Sequence, residues 1–171
     1  MSEAISIRRA VDAELPAVLE LCMLVEEQHE RYWPLRWQRK PNIREGWLRW
    51  MRSRLEDPRL LILAATVEQP PGGPRVVGAL LASIETEIPI YTYKEFAFVH
   101  DIAVVENFRR RGVARDLLAR AAEWAAGLGM NQLRLMAADK NVEARRLFEA
   151  AGFRPTYHEM ILPVGKTEAV P

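Results

Sequence analysis

His100 and Asp101 are the only ionisable residues inside an otherwise apolar run, Phe96–Val105, which has the length of a buried strand. An ionisable group there needs a reason, because burying it without a partner is costly. Just beyond come Arg109, Arg110 and Arg111, then Gly112, Val113 and Ala114, where a helical spacing of apolar residues begins. Strand, basic turn, helix is an arrangement that binds anions. The first N–H groups of a helix have no internal partners, and the helix dipole adds partial positive charge there. Gly112 lets backbone approach a ligand, Ala114 is small, and arginine side chains present forked donors suited to phosphate oxygens. The chemistry on offer is a held phosphate beside a proton acceptor.

Two phosphate-binding patterns are excluded. The Walker pattern requires Gly-Lys-Ser/Thr after a spaced glycine, which the chain lacks, and the dinucleotide fingerprint requires three glycines where this turn has one. The segment resembles motif A of the GNAT N-acetyltransferase superfamily, Gln/Arg-x-x-Gly-x-Gly/Ala, in Arg109-Arg110-Arg111-Gly112-Val113-Ala114. Val104-Val105-Glu106-Asn107-Phe108 is similar to the strand end and turn before it. Asn141–Phe153 resembles motif B, with its Asn, Ala, aromatic and Gly-Phe.

The resemblance implies transfer of an acetyl group from acetyl-CoA, as cosubstrate, to a primary amine within a ternary complex. It implies that Arg109, Arg110, Arg111, Gly112, Val113 and Ala114 surround the pyrophosphate with their N–H groups. The backbone of Ile102, Ala103 and Val104 would pair with the pantetheine arm. Asn141 would hydrogen-bond that arm, cap the short helix, or both, and Phe148 would pack beside it. No metal is required, and no covalent enzyme intermediate.

An attacking amine must be neutral, yet an alkylamine of pKa near 10 is only about 0.1% neutral at pH 7. A base helps, and the family often places an acid or His near positions 100 and 101. We favour His100, directly or through water; its alternative is a hydrogen-bonded structural histidine. Asp101 is structural or orients substrate. Strand alternation sets the two on opposite faces unless a bulge re-aims one. Many family members carry Tyr where this chain has Phe148, and Phe cannot protonate a departing sulfur. The acid is then Tyr157, His158 or water, or no acid is needed, since a thiol of pKa near 8.5 leaves tolerably as thiolate.

The chain has 171 residues, 49% hydrophobic and 27% charged, with net charge +1, enough for one domain, 1–171, with 164–171 as a loose tail. The charge gives no pull toward nucleic acid or membrane, and no apolar run approaches the roughly 20 residues of a membrane span. The single cysteine, Cys22, excludes an intrachain disulfide and fits a reducing, cytoplasmic setting.

The elements that must position these residues read as follows. Ala4–Arg9 is a strand, a helix runs from an Asp12 N-cap to about Arg31, and Ile43–Leu55 is a second helix with Asn42 as N-cap and Glu45 completing a capping box. Leu60–Val67 and Val76–Ile84 form a hairpin around a Pro/Gly loop. After the strand and helix of motif A come strand Gln132–Ala137, helix Asn141–Ala150, and two short strands, Phe153–Tyr157 and Glu159–Pro163. The expected fold is a single α/β domain of GNAT type: a mixed, mainly antiparallel twisted sheet of six to seven strands with about four helices on both faces. The acceptor, an amine-bearing small molecule or peptide, would enter near His29, Tyr32, Trp33, Trp37, Tyr91 and Tyr93. Family members are often dimers, which makes a homodimer an implied assembly. The alternatives are an acyl-CoA-binding regulatory domain with little catalysis, suggested by Phe148, and an enzyme using a longer acyl donor.

Overall fold

A computed structural model describes residues 4–69 and 71–164. Residues 165–171 of the expected tail lie outside the described residues. The strands are β1 (Ile5–Arg9), β2 (Leu60–Glu68), β3 (Pro74–Thr86), β4 (Glu95–Val104) and β5 (Leu133–Leu135). The helices are α1 (Leu15–Tyr32), α2 (Pro34–Trp37), α3 (Ile43–Ser53), α4 (Val113–Gly127) and α5 (Val142–Ala150). The sheet order is β1-β2-β3-β4-β5, antiparallel from β1 to β4, with β5 parallel to β4.

The sheet therefore has five strands among the described residues, not six to seven. Residues 153–163, expected as two strands, carry no regular structure, and Met160 and Leu162 stand open to solvent. Their apolar alternation lacks a strand to pair with, and alternation alone does not make a ladder. The helix count rises to five because Trp33 breaks the first helix and Pro34 starts a new turn, as its fixed φ favours. Asn42 does not cap α3 with its side chain; it adopts left-handed backbone at φ 60°, which asparagine tolerates.

The core has two layers because β2 is apolar without a break from Leu60 to Ala65 and feeds both faces. Leu60, Ile62 and Ala64 pack with Leu15, Val18 and Cys22 of α1 and Met51 of α3. Leu61, Leu63 and Ala65 pack on the other face with Leu117, Leu118 and Ala121 of α4 and Phe148 of α5. Cys22 is buried, and burial pushes its thiol pKa well up, so it acts as a small apolar side chain.

Gly78 sets how closely α4 approaches the sheet. A Cβ on it would sit 3.2 Å from Val113 Cγ1, 3.3 Å from Ala103 O and 3.3 Å from Ala65 Cβ. Those neighbours belong to the start of α4, to β4 and to β2, so a side chain here separates all three. Gly78→Val is expected to cost about 1–3 kcal/mol through overpacking. Urea unfolding checks this, with a lower midpoint and an unchanged slope.

Candidate active site

The register of β3 on β4 breaks between Leu81 and Ala82. Leu81 faces Asp101 and Ala82 faces Val99, which leaves His100 as an extra residue with no partner on β3. This is a β-bulge, and it settles the orientation of the pair at 100 and 101. Val99 and Ala82 lie in the α4-side cluster, whereas Leu81 lies in the α1-side cluster. Without the extra residue Val99 and Asp101 would share a face; with it Asp101 turns to the α1 side. His100 is on that side too, in contact with Ser83 and Phe98. The bulge thus brings together two residues that simple alternation would separate.

His100 Nε2 lies 2.6 Å from Ser83 Oγ, and Glu85 Oε1 is 3.5 Å from the same nitrogen. Ser83 Oγ also hydrogen-bonds the Glu85 carboxylate. A hydroxyl has one proton. If Ser83 donates it to Glu85, its oxygen accepts from His100 Nε2–H, and Nδ1 carries the free lone pair. Burial lowers the pKa of His100 from the usual 6.5, against the opposing pull of Glu85, so the ring is neutral at pH 7. The arrangement yields a neutral imidazole with a basic nitrogen and a carboxylate behind it to stabilise the imidazolium.

Asp101 is 4% exposed, and its Oδ1 has no hydrogen-bond partner among the described residues. Burial pushes its pKa up to about 7, and the negative charge of Glu26 adds to the rise.

Pairing of β4 with β5 covers only Ala97, Phe98 and Val99. It stops where the bulge kinks β4, so the β5-facing edge of residues 100–104 is unpaired over Ile102, Ala103 and Val104. That edge leads into the arginine turn, where Arg110 and Gly112 adopt left-handed backbone at φ 58° and 86°. Among the described residues, the N–H groups of Arg110, Arg111, Gly112, Val113 and Ala114 find no acceptor, whereas that of Arg109 donates to Glu106 O at 3.0 Å. Arg109 also donates through Nε to Val104 O at 3.1 Å, so it braces the turn, and its amide is engaged. Arg111 lies over the buried Phe108 ring, 4.8 Å from its centre. The result is a concave set of backbone donors at the positive end of a fifteen-residue helix.

The remaining predicted residues divide. Asn141 accepts from Ala144 N at 3.2 Å and caps α5, the structural half of its two readings. Phe148 is 7% exposed and meets Phe153 edge-on at 6.0 Å, deep in the α4-side core. Tyr157 is 69% exposed, on the stretch without regular structure. Of the aromatics, His29 stacks on Trp37 at 5.0 Å with Arg36 over the outer face of Trp37, and Tyr32 bonds Gln28. Tyr91 and Tyr93 are exposed. Sequence reading missed Ser83 and Glu85 as partners of His100. Their signal was present: β3 alternation places both on one face of an otherwise apolar strand.

Two surface cavities lie elsewhere. One of about 460 Å³ is lined by residues of α3 such as Trp47 and Trp50, and one of about 290 Å³ by Glu14, Pro74 and neighbours. Among the described residues there is no group of three or more side chains that could hold a metal, and no helix is long and apolar enough to cross a membrane.

Comparisons with known proteins bear on the family and the fold. The model of the acetyltransferase (GNAT) family matches residues 22–153. The uncharacterized N-acetyltransferase YycN of Bacillus subtilis is 33% identical over 81 residues, 47% of this chain and 49% of that protein. The match thus spans about half of that relative's length. Among solved structures, aminoglycoside 6'-N-acetyltransferase AAC(6')-Ih of Acinetobacter baumannii has a TM-score of 0.67 at 21% identity, covering 95% of this chain and 99% of that one. Aminoglycoside N-acetyltransferase AAC(6')-Iy, in complex with CoA, has a TM-score of 0.71 at 20% identity, covering 96% and 97%. At these identities the two structures are similar in fold.

Asp101 makes stability depend on pH. Its folded pKa of about 7 exceeds the usual 3.8. Its contribution is therefore full below pH 3.8 and is lost as pH rises through 7. Asp101→Asn removes this loss, a gain on the order of a few kcal/mol at pH 8 and none at pH 4. Thermal melts of both proteins at the two pH values check this.

Proposed function

The chain belongs to the GNAT acetyltransferase family, and we propose that it transfers the acetyl group of acetyl-CoA directly to a primary amine within a ternary complex. The observation that carries this reading is the continuity of two unpaired backbone surfaces, the β4 edge after Val99 and the amides of Arg110 to Ala114. The first suits an extended amide-bearing arm and the second a diphosphate. Acetyl-CoA carries both, separated by a flexible chain and ending in a thioester.

With the diphosphate on the amides and the arm along β4, the thioester lies at the bulge, beside His100. The acceptor amine attacks the thioester carbon as His100 Nδ1 takes its proton. The N–C bond forms, the C–S bond breaks, and CoA departs as thiolate. The imidazolium is stabilised through Ser83 by Glu85 until the proton passes to solvent or to the thiolate. Phe148 in the core and Tyr157 in solvent leave the thiolate without a phenol nearby in this account, and its ordinary acidity suffices. Fixed geometry supplies much of the acceleration, because the two reactants are held together.

Three measurements test the reading. Isothermal titration with acetyl-CoA shows binding to the wild-type chain and none to Gly112→Val. Space would admit a Cβ there, its nearest neighbour being Asp116 Oδ2 at 3.9 Å, but the left-handed backbone would not. His100→Ala lowers kcat by about a hundredfold or more while acetyl-CoA affinity holds. The acid limb of the wild-type pH–rate profile lies below pH 6.5, in the direction burial moves His100. Binding without release of CoA thiol in the presence of amines would instead fit the acyl-CoA-binding regulatory domain.

A further inference from the structure

An unpaired buried carboxyl, Asp101, lies in the seam between α1 and β4. The first turns of α1, Leu15 to Met23, share a packed cluster with Ala103, and Cys22 and Glu26 act electrostatically on or with Asp101. Among the described residues, the buried side-chain atoms without a partner are Asp101 Oδ1, His29 Nδ1 and Trp33 Nε1, and the first of these lies in this seam. Leaving a buried polar atom unpaired costs about 1–3 kcal/mol, so Asp101 stands to gain from a group that completes it.

Charge indicates which groups. Glu26 is half-buried beside Asp101, and among the described residues no cation pairs with it, although its neighbours Glu27 and Glu30 are both held by Arg39. Glu85 adds a third carboxylate close to His100. A single amine at His100 would leave Glu26 and Asp101 unmatched.

We propose, resting on the transfer reading above, that Glu26 and the buried Asp101 bind a second ammonium group of the acceptor, which makes the acceptor class di- and polyamines. One amino group is acetylated at His100, and the other enters the α1 seam. There it donates a charge-assisted hydrogen bond to Asp101 Oδ1 and is held by the negative charge of Glu26. Glu26 is thus a specificity-determining residue with no part in the proton transfer.

The test is the ratio of kcat/KM for a diamine to that for a monoamine, with n-butylamine, diaminobutane and a diamino sugar as acceptors. The wild-type chain is expected to favour at least one diamine by about tenfold or more. Glu26→Gln reduces that ratio about tenfold, chiefly through KM, and Glu26→Asp, which keeps the charge, retains more of it. A preference confined to the diamino sugar supports the inference and narrows the class. No preference in the wild-type chain, or a preference that survives Glu26→Gln, overturns it while thiol release continues. Absence of thiol release with all three amines overturns the transfer reading, and this inference with it.

Discussion

His100 is one residue more than β3 can pair with, and the consequences of that surplus run through the site. It inverts the side on which Asp101 emerges, so an imidazole and a carboxyl share one face. It kinks β4 at the residue where pairing with β5 ceases, which leaves the following backbone free on one edge. It also presents the histidine to Ser83 and Glu85 on the neighbouring strand. A regular ladder would give a more fully bonded sheet, with His100 and Asp101 on opposite faces.

The rest of the sheet holds that irregularity in place. β4 is covered by α1 on one face and α4 on the other, both anchored by leucines and valines with almost no exposure. Close packing of this kind has few ways to relax, so the bulge is over-determined by its surroundings. Gly78 belongs to the same support: its missing side chain lets Val113 settle onto the sheet, and that contact fixes where the first amides of α4 point. Unpaired backbone donors on one element are thus positioned by a packing contact on another.

The site also carries a stability cost. Asp101 is buried with an unpartnered oxygen beside a second carboxylate, and burial, helped by Glu26, pushes its pKa up to about 7. An apolar or amide side chain would serve the fold better. The turn before α4 holds its backbone donors unpaired, with left-handed residues at Arg110 and Gly112. These are groups whose hydrogen-bonding capacity the described residues leave unused. Two other buried polar residues show the contrast: Glu14 is bound by Arg8, and Ser83 by His100 and Glu85.

By itself the sequence determined the family and most of the order of elements, and it picked out the arginine–glycine turn at 109–114. Those properties are local: a glycine able to take positive φ at 112, arginines before it, apolar periods of two or of about 3.6, and Asn141 placed to cap a helix. It also identified His100 and Asp101 as residues needing explanation, and saw that only a bulge would unite them. Whether the bulge exists depends on how β4 registers against β3, a long-range pairing that no local pattern encodes. The same holds for residues 153–163, whose alternation suggested strands that find no partner, and for Asn42, whose backbone rather than side chain turns the chain. Tertiary structure alone decided which side of the sheet each ionisable group faces, because a one-residue change in register reverses every side chain beyond it.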